Sequence, residues 1–133
     1  MTLICNAPFE TALAESLYLL QSEEWPELRP FKRVEFGRAV PCPIVALKQG
    51  QLIGGASFVS YYEPGSERVG TWLNALIVIP QERRQGVATA LIEASAKAAG
   101  RIYALTDVPE LYTKCGWRSI SSDKEGTVVK YEP

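Results

Sequence analysis

Histidine is absent from the 133 residues. That excludes Ser-His-Asp and Cys-His nucleophile chemistry and every His-ligated metal site at once. Cysteine is scarce: Cys5, Cys42 and Cys115 lie 37 and 73 positions apart. An odd count without short spacing argues against a disulfide framework and against a zinc cluster, so no metal is expected. The three read as reduced thiols of a cytoplasmic protein. A nucleophilic cysteine needs a neighbour that lowers its pKa, and the adjacent Lys114 lends Cys115 only weak support for that role. No apolar run approaches the ~20 residues that span a bilayer. The N-terminus has no basic stretch followed by an apolar segment, so no signal peptide and no membrane partner are expected. Neither charge sign is in excess: 14 Lys+Arg stand against 15 Asp+Glu, net -1. A global basic field for nucleic acid is therefore missing. What is present, 47% hydrophobic and 22% charged residues, suits one domain over residues 1–133.

The apolar spacing changes character along the chain. Residues 2–5 predict a short strand. Residues 7–23 predict a helix with Phe9, Leu13, Leu17 and Leu20 on one stripe and Asn6 as its N-cap. Trp25-Pro26 ends it. The stretch 26–43 holds four prolines and little periodicity, and a short helix is expected near 31–38. Strands follow at 44–48, 52–62 and 69–79, with Gly54-Gly55 inside the second marking a bulge or close backbone approach. Strict alternation in the third places Trp72, Asn74, Leu76 and Val78 on one face and Thr71, Leu73, Ala75 and Ile77 on the other. A helix is expected at 85–99 with Gly100 after it, then a strand at 101–106, a short helix at 109–114, and a closing hairpin of 117–121 with 127–131. The unit 69–106 reads as strand–helix–strand joining a parallel pair, and the hairpins as antiparallel. The expected fold class is α/β with a mixed sheet and helices on its faces.

Pro80-Gln81-Glu82-Arg83-Arg84-Gln85-Gly86-Val87-Ala88-Thr89 lies between a buried strand and a helix N-terminus. Such a turn presents unpaired N–H groups and the positive end of a helix dipole, which suits an anion. Gly86 lets a phosphate approach the backbone, Arg83 and Arg84 add local cations, and Thr89 adds a hydroxyl. Neither G-x-x-x-x-G-K-[ST] nor G-x-G-x-x-G is present. On these residues alone, a solvated loop with a turn glycine accounts for the segment equally well.

Arg83-x-x-Gly86-x-Ala88 resembles the Q/R-x-x-G-x-G/A acetyl-CoA signature of the GNAT superfamily of N-acetyltransferases. Leu76-Ile77-Val78-Ile79-Pro80 is similar to the L-x-V-x-P end of that family's fourth strand. Leu111-Tyr112-Thr113-Lys114-Cys115-Gly116-Trp117 resembles its LYxKxGW/F element. The match covers residues 72–118, about a third of the chain. The resemblance implies a GNAT-like fold, a central, mostly antiparallel sheet with one splayed parallel pair, and acetyl-CoA as cosubstrate. It implies that the backbone of Leu76, Ile77 and Val78 pairs with pantetheine. The N–H groups of Arg84, Gln85, Gly86, Val87, Ala88 and Thr89 would hold the pyrophosphate. Arg83 or Arg84 would add charge, and Lys114 would reach the nucleotide end. Tyr112 matches the tyrosine that assists the departing thiolate, and a strand N–H near Ile77 or Val78 would face the oxyanion.

No Asp or Glu lies in 69–79, which excludes a carboxylate base on that strand. Asp107, Glu63, Glu67 and a water chain remain open, and Asp107 also suits the N-cap of the helix that starts at Pro109. Trp25, Tyr61, Tyr62, Trp72 and Asn74 are candidate acceptor-groove residues, though aromatics at such positions also fill cores. The expected activity is transfer of an acetyl group from acetyl-CoA to a primary amine of a small molecule or peptide in a ternary complex. The alternatives are a protein N-terminus or lysine as acceptor, or a non-catalytic acyl-CoA-binding module. Either a monomer or a homodimer fits.

Overall fold

A computed structural model describes residues 1–133. The β-branched and aromatic runs form the strands that their spacing predicts. β1 (Thr2–Asn6), β4 (Ile44–Lys48), β5 (Gln51–Tyr62), β6 (Val69–Val78), β7 (Ile102–Thr106), β8 (Arg118–Asp123) and β9 (Gly126–Tyr131) make one sheet. Its order is β1-β4-β5-β6-β7-β9-β8. Every neighbouring pair is antiparallel except β6 and β7, which run parallel. α2 (Val87–Ala99) makes the crossover between them, and α3 (Pro109–Thr113) follows β7. No helix is long and apolar enough to cross a membrane.

α1 spans Ala12–Glu24 and starts later than the apolar stripe suggested. Glu10 adopts φ 65°, which breaks the first predicted turn. Thr11, and not Asn6, is the N-cap: its hydroxyl accepts from the Ala14 N–H at 3.2 Å and donates to the Pro8 carbonyl at 2.6 Å. Asn6 belongs to β1. The helix expected at 31–38 is instead a hairpin, β2 (Val34–Glu35) and β3 (Arg38–Ala39), with Phe36 at φ 52° and Gly37 at φ 70° between them. Two successive positive φ values make the type I′ turn that joins antiparallel strands. The four prolines around it, Pro26, Pro30, Pro41 and Pro43, offer no N–H to a helix.

The main core lies between the sheet and α2 and includes Ile44, Phe58, Leu73, Val78, Leu91, Ile92 and Val129. A smaller cluster of Ala7, Ala14, Leu17 and Val45 lies beneath α1. Gly55 permits the close packing of α1 on the sheet, and Gly54 a close approach to the β6 backbone. A Cβ on Gly54 would sit 2.6 Å from the Ile77 carbonyl oxygen, and one on Gly55 2.6 Å from Leu17 Cδ1.

Candidate active site

The strict alternation expected along β6 fails at one residue. Ser57 faces Asn74 and Gly55 faces Ile77, so β6 carries one residue more than β5 between these partners. This is a β-bulge. Ala75 sits in it at φ 56°, a left-handed conformation that costs a non-glycine residue roughly 1–3 kcal/mol. Past the bulge the faces exchange. Leu73, Leu76 and Val78 all pack on the main core, and Ile77 turns to the cluster beneath α1.

β6 and β7 share one register pair, Trp72 with Tyr103. Beyond it the strands diverge. The Ile79 N–H bonds to the Ile53 carbonyl at 2.9 Å. Backbone polar groups alternate between the two edges of a strand, so the N–H and carbonyl of Val78 face the open fork. Arg83 confirms this edge, since its Nε donates to the Val78 carbonyl at 2.9 Å. The N–H of Ile77 belongs to the β5 side, opposite Gly55. Of the two candidate oxyanion donors, the geometry therefore favours Val78.

A cavity of about 590 Å³ occupies the fork. Leu76, Ile77, Val78, Arg83, Ala88 and Tyr112 all line it. At its rim, six consecutive N–H groups, those of Arg84 through Thr89, find no backbone acceptor; the first bond of α2 runs from Ala90 N–H to the Gly86 carbonyl at 3.0 Å. Arg84 at φ 64° and Gly86 at φ 81° curl the turn so that successive N–H groups converge. No side chain caps α2. Such a concave row of donors on a helix N-terminus matches an anion the size of a pyrophosphate. Thr89 is half-buried, and Lys114 is exposed at the end of α3, outside the fork.

Tyr112 is 4% exposed and packs edge-on against Trp117 at 5.1 Å. Burial, with a smaller contribution from Cys115, pushes its pKa up to about 12. The phenol is thus a fixed donor at neutral pH. Burial chiefly, then Glu93, raises the Cys115 thiol pKa, and its Sγ bonds to the Leu111 carbonyl at 3.4 Å.

The base candidates separate. Glu63 is excluded from the cavity: it is buried at the far end of β5, with Arg101 Nη2 at 3.3 Å and Arg68 Nε at 3.6 Å. Glu67 lies in the exposed β5–β6 turn. Asp107 lines the fork but does not cap α3. The N-cap is Val108 and no side chain caps α3; the Val108 N–H bonds to the Thr106 hydroxyl at 3.0 Å in the turn ahead of the helix.

The fork continues into a groove of about 440 Å³ between the α1–β2 segment and β5–β6, and then into a cleft of about 580 Å³. Trp25 lines the fork and the groove, Trp72 the groove, and Tyr61 and Asn74 both groove and cleft. Tyr62 stays outside, packed on Phe36 at 5.5 Å and Tyr61 at 5.6 Å. Glu24, Glu27, Glu35 and Glu125, none of which the sequence singles out, add carboxylates along this path. Glu35 Oε1 accepts the Ser60 N–H at 3.1 Å. The Phe36-Gly37 turn, which carries no asparagine or aspartate signal, brings Glu35 to β5.

A family model described as the acetyltransferase (GNAT) family matches residues 10–117. The chain belongs to that family and is an acyltransferase. No curated protein is a significant sequence match. Among solved structures, the Bacillus subtilis N-acetyltransferase YlbP in complex with coenzyme A superposes with TM-score 0.64 at 16% identity, covering 100% of this chain and 97% of that one. An aminoglycoside acetyltransferase from an uncultured soil metagenomic sample gives TM-score 0.65 at 25% identity, covering 92% and 95%. N-acetylglutamate synthase from Neisseria gonorrhoeae, complexed with coenzyme A and N-acetyl-glutamate, gives 0.62 at 14% identity. There the match covers 98% of this chain but only 35% of the larger protein.

Proposed function

We propose that residues 1–133 form one acetyltransferase domain that moves an acetyl group from acetyl-CoA to a primary amine of a small molecule or peptide, by direct attack in a ternary complex. One observation carries this reading. A β6 edge with no neighbouring strand runs from the six free N–H groups of residues 84–89 into a cavity lined by Tyr112. The pantetheine would pair with the Leu76–Val78 edge as an added strand. The pyrophosphate would take the N–H groups of Arg84, Gln85, Gly86, Val87, Ala88 and Thr89. Arg83 fixes the edge through Val78, and Arg84, exposed beside Gly86, supplies charge.

The neutral amine attacks the thioester carbonyl carbon. The oxygen, gaining charge, takes a hydrogen bond from the strand edge at Val78. The carbon–sulfur bond then breaks, the thiolate is received by Tyr112, and the amide nitrogen releases its proton to solvent. Full proton transfer from a phenol at about 12 to a thiolate of pKa about 8.5 is uphill by roughly 3.5 units, or about 5 kcal/mol. Tyr112 therefore acts by donating a hydrogen bond, and the thiol takes its proton from water. Glu24, Asp107 and Glu125 at the fork, with Glu27 in the groove, favour a cationic acceptor beside Trp25, Tyr61 and Trp72, while Arg29 and Lys32 balance Glu27 and Glu35 in the outer cleft. The unpaired cysteines agree with a cytoplasmic setting. The test is acetyl-CoA-dependent thiol release across a panel of amines that includes diamines, amino acids and peptides. Release with none of them overturns the reading.

A further inference from the structure

We infer that Gln21 and Ser57 are positioning residues for acyl transfer, acting through the β6 bulge. This rests on the acetyltransferase reading. The positive φ of Ala75 turns its carbonyl out of the sheet toward α1, where Gln21 Nε2 donates to it at 2.9 Å. The same Nε2 donates to Ser57 Oγ at 3.3 Å, and Ser57 Oγ donates to the Asn74 carbonyl at 3.2 Å. One chain of hydrogen bonds thus brackets the bulge from Asn74 to Ala75. Its direction is fixed. Asn74 can offer only an acceptor, so the Ser57 hydroxyl spends its proton there and must accept from Gln21.

Neither side chain enters the fork or the groove, and only Ser57 borders the outer cleft. Gln21 is 0% exposed and Ser57 2%. Ala75, which they hold, lines both the fork cavity and the acceptor groove. The bulge sets which N–H groups of β6 enter the fork, because without the extra residue Val78 would turn to β5. Gln21 also keeps a cost. Its Oε1 is buried with no partner, a desolvation cost kept alongside the Nε2 donation to the Ala75 carbonyl. A buried amide that breaks local economy while its donors pin a strained residue at a cavity wall marks a functional constraint. The clamp holds the strand edge in the geometry that the thioester oxygen needs at the moment charge develops.

The experiment compares the wild type with Q21L, S57A and S57T. Thiol-release kinetics give kcat and KM, calorimetry gives coenzyme A affinity, and infrared difference spectra of acetyl-CoA labelled with ¹³C at the thioester carbonyl report hydrogen bonding to that oxygen. Q21L and S57A are expected to lose at least tenfold in kcat. Coenzyme A affinity should stay within twofold, and the labelled carbonyl band should move toward its position in water. S57T, which keeps the hydroxyl, should recover most of the turnover. S57A carries the test alone if Q21L folds poorly. Wild-type kcat and an unmoved band in folded variants overturn the inference, as does loss of kcat and coenzyme A affinity in equal measure. A wild type with no acetyl-CoA-dependent release fails differently, since it overturns the acetyltransferase reading on which the clamp rests.

Discussion

Trp72 lies over Tyr103 with ring centroids 5.2 Å apart and planes inclined by 28°, and these two residues form the register pair between β6 and β7. The stacked rings stand where parallel pairing stops and the fork opens. Tyr61 meets the same indole edge-on at 6.5 Å, so the stack also forms the wall of the acceptor groove. Trp72→Ala should therefore act twice. It should lower stability by about 3 kcal/mol, the usual range for emptying a large aromatic site, measured by urea denaturation. It should also raise KM for acetyl-CoA, because the vertex of the fork loses its filler. A variant with the full stability loss and an unchanged KM would show that the fork is held without this stack.

Tyr112→Phe removes a hydroxyl and keeps the ring against Trp117. Coenzyme A affinity by calorimetry should stay within about twofold. Turnover should fall by ~10²-fold, the low end for a group that aids a leaving atom, since the phenol donates a hydrogen bond and does not give up its proton. Equal turnover, with the acyl-transfer step shown to be rate-limiting, would remove Tyr112 from the chemistry.

The strands, α2 and the helix before Trp117 were legible because each carries its own period and its own stop, Pro80 and Gly100 among them. The turn between β6 and α2 was legible for the same reason, since Gly86 and the helix it precedes are local. What escaped was non-local or conformational. Nothing in Asn74-Ala75-Leu76 announces a bulge, because an alanine at φ 56° is held there by Gln21, 54 residues away. The exchange of faces that follows defeated the alternation rule. The hairpin at 34–39 escaped because its turn uses Phe36, an aromatic residue, where asparagine or aspartate is the usual signal. Glu63 looked available beside a turn, and only the fold shows Arg101 and Arg68 on it.

Gly86→Val tests the anion turn. A Cβ built on Gly86 meets nothing within 4 Å, so no packing clash confuses the result. The added bulk would stand where the phosphates approach. Coenzyme A affinity should fall at least tenfold, with Gly86→Ala intermediate, since it carries the same φ penalty and less volume. Arg84→Ala should weaken coenzyme A but leave a pantetheine fragment without phosphates unaffected. Equal calorimetric affinity for wild type and Gly86→Val would move the pyrophosphate elsewhere.

Tyr112 also predicts how stability depends on alkaline pH. Its pKa is about 12 in the folded protein and about 10 unfolded. A raised folded value favours the protonated form in the native state. The contribution is complete below pH 10 and is lost as pH rises from 10 through 12. Two units correspond to about 2.7 kcal/mol. Urea midpoints should decline across that window in the wild type, and less steeply in Tyr112→Phe. Parallel declines in both proteins would assign the loss to other groups.

The same shift changes the expected rate profile at its alkaline end, and the acceptor governs the acidic end. With Tyr112 protonated to about 12, its ionisation imposes no alkaline limb near 10, where an exposed tyrosine would. β6 offers no carboxylate base, and Glu63 is committed to Arg101 and Arg68. The acidic limb of kcat/KM should then follow the acceptor amine, rising toward that amine's own pKa. Two acceptors whose amine pKa values differ by about two units should give limbs displaced by about the same amount. A limb that stays fixed between them would instead report a protein base. Glu24, Asp107 and Glu125, the carboxylates at the fork, would be the residues to replace first. A limb that moves with the acceptor and survives Asp107→Asn supports deprotonation through water, with Asp107 lowering the potential at the mouth of the cavity and taking no proton itself.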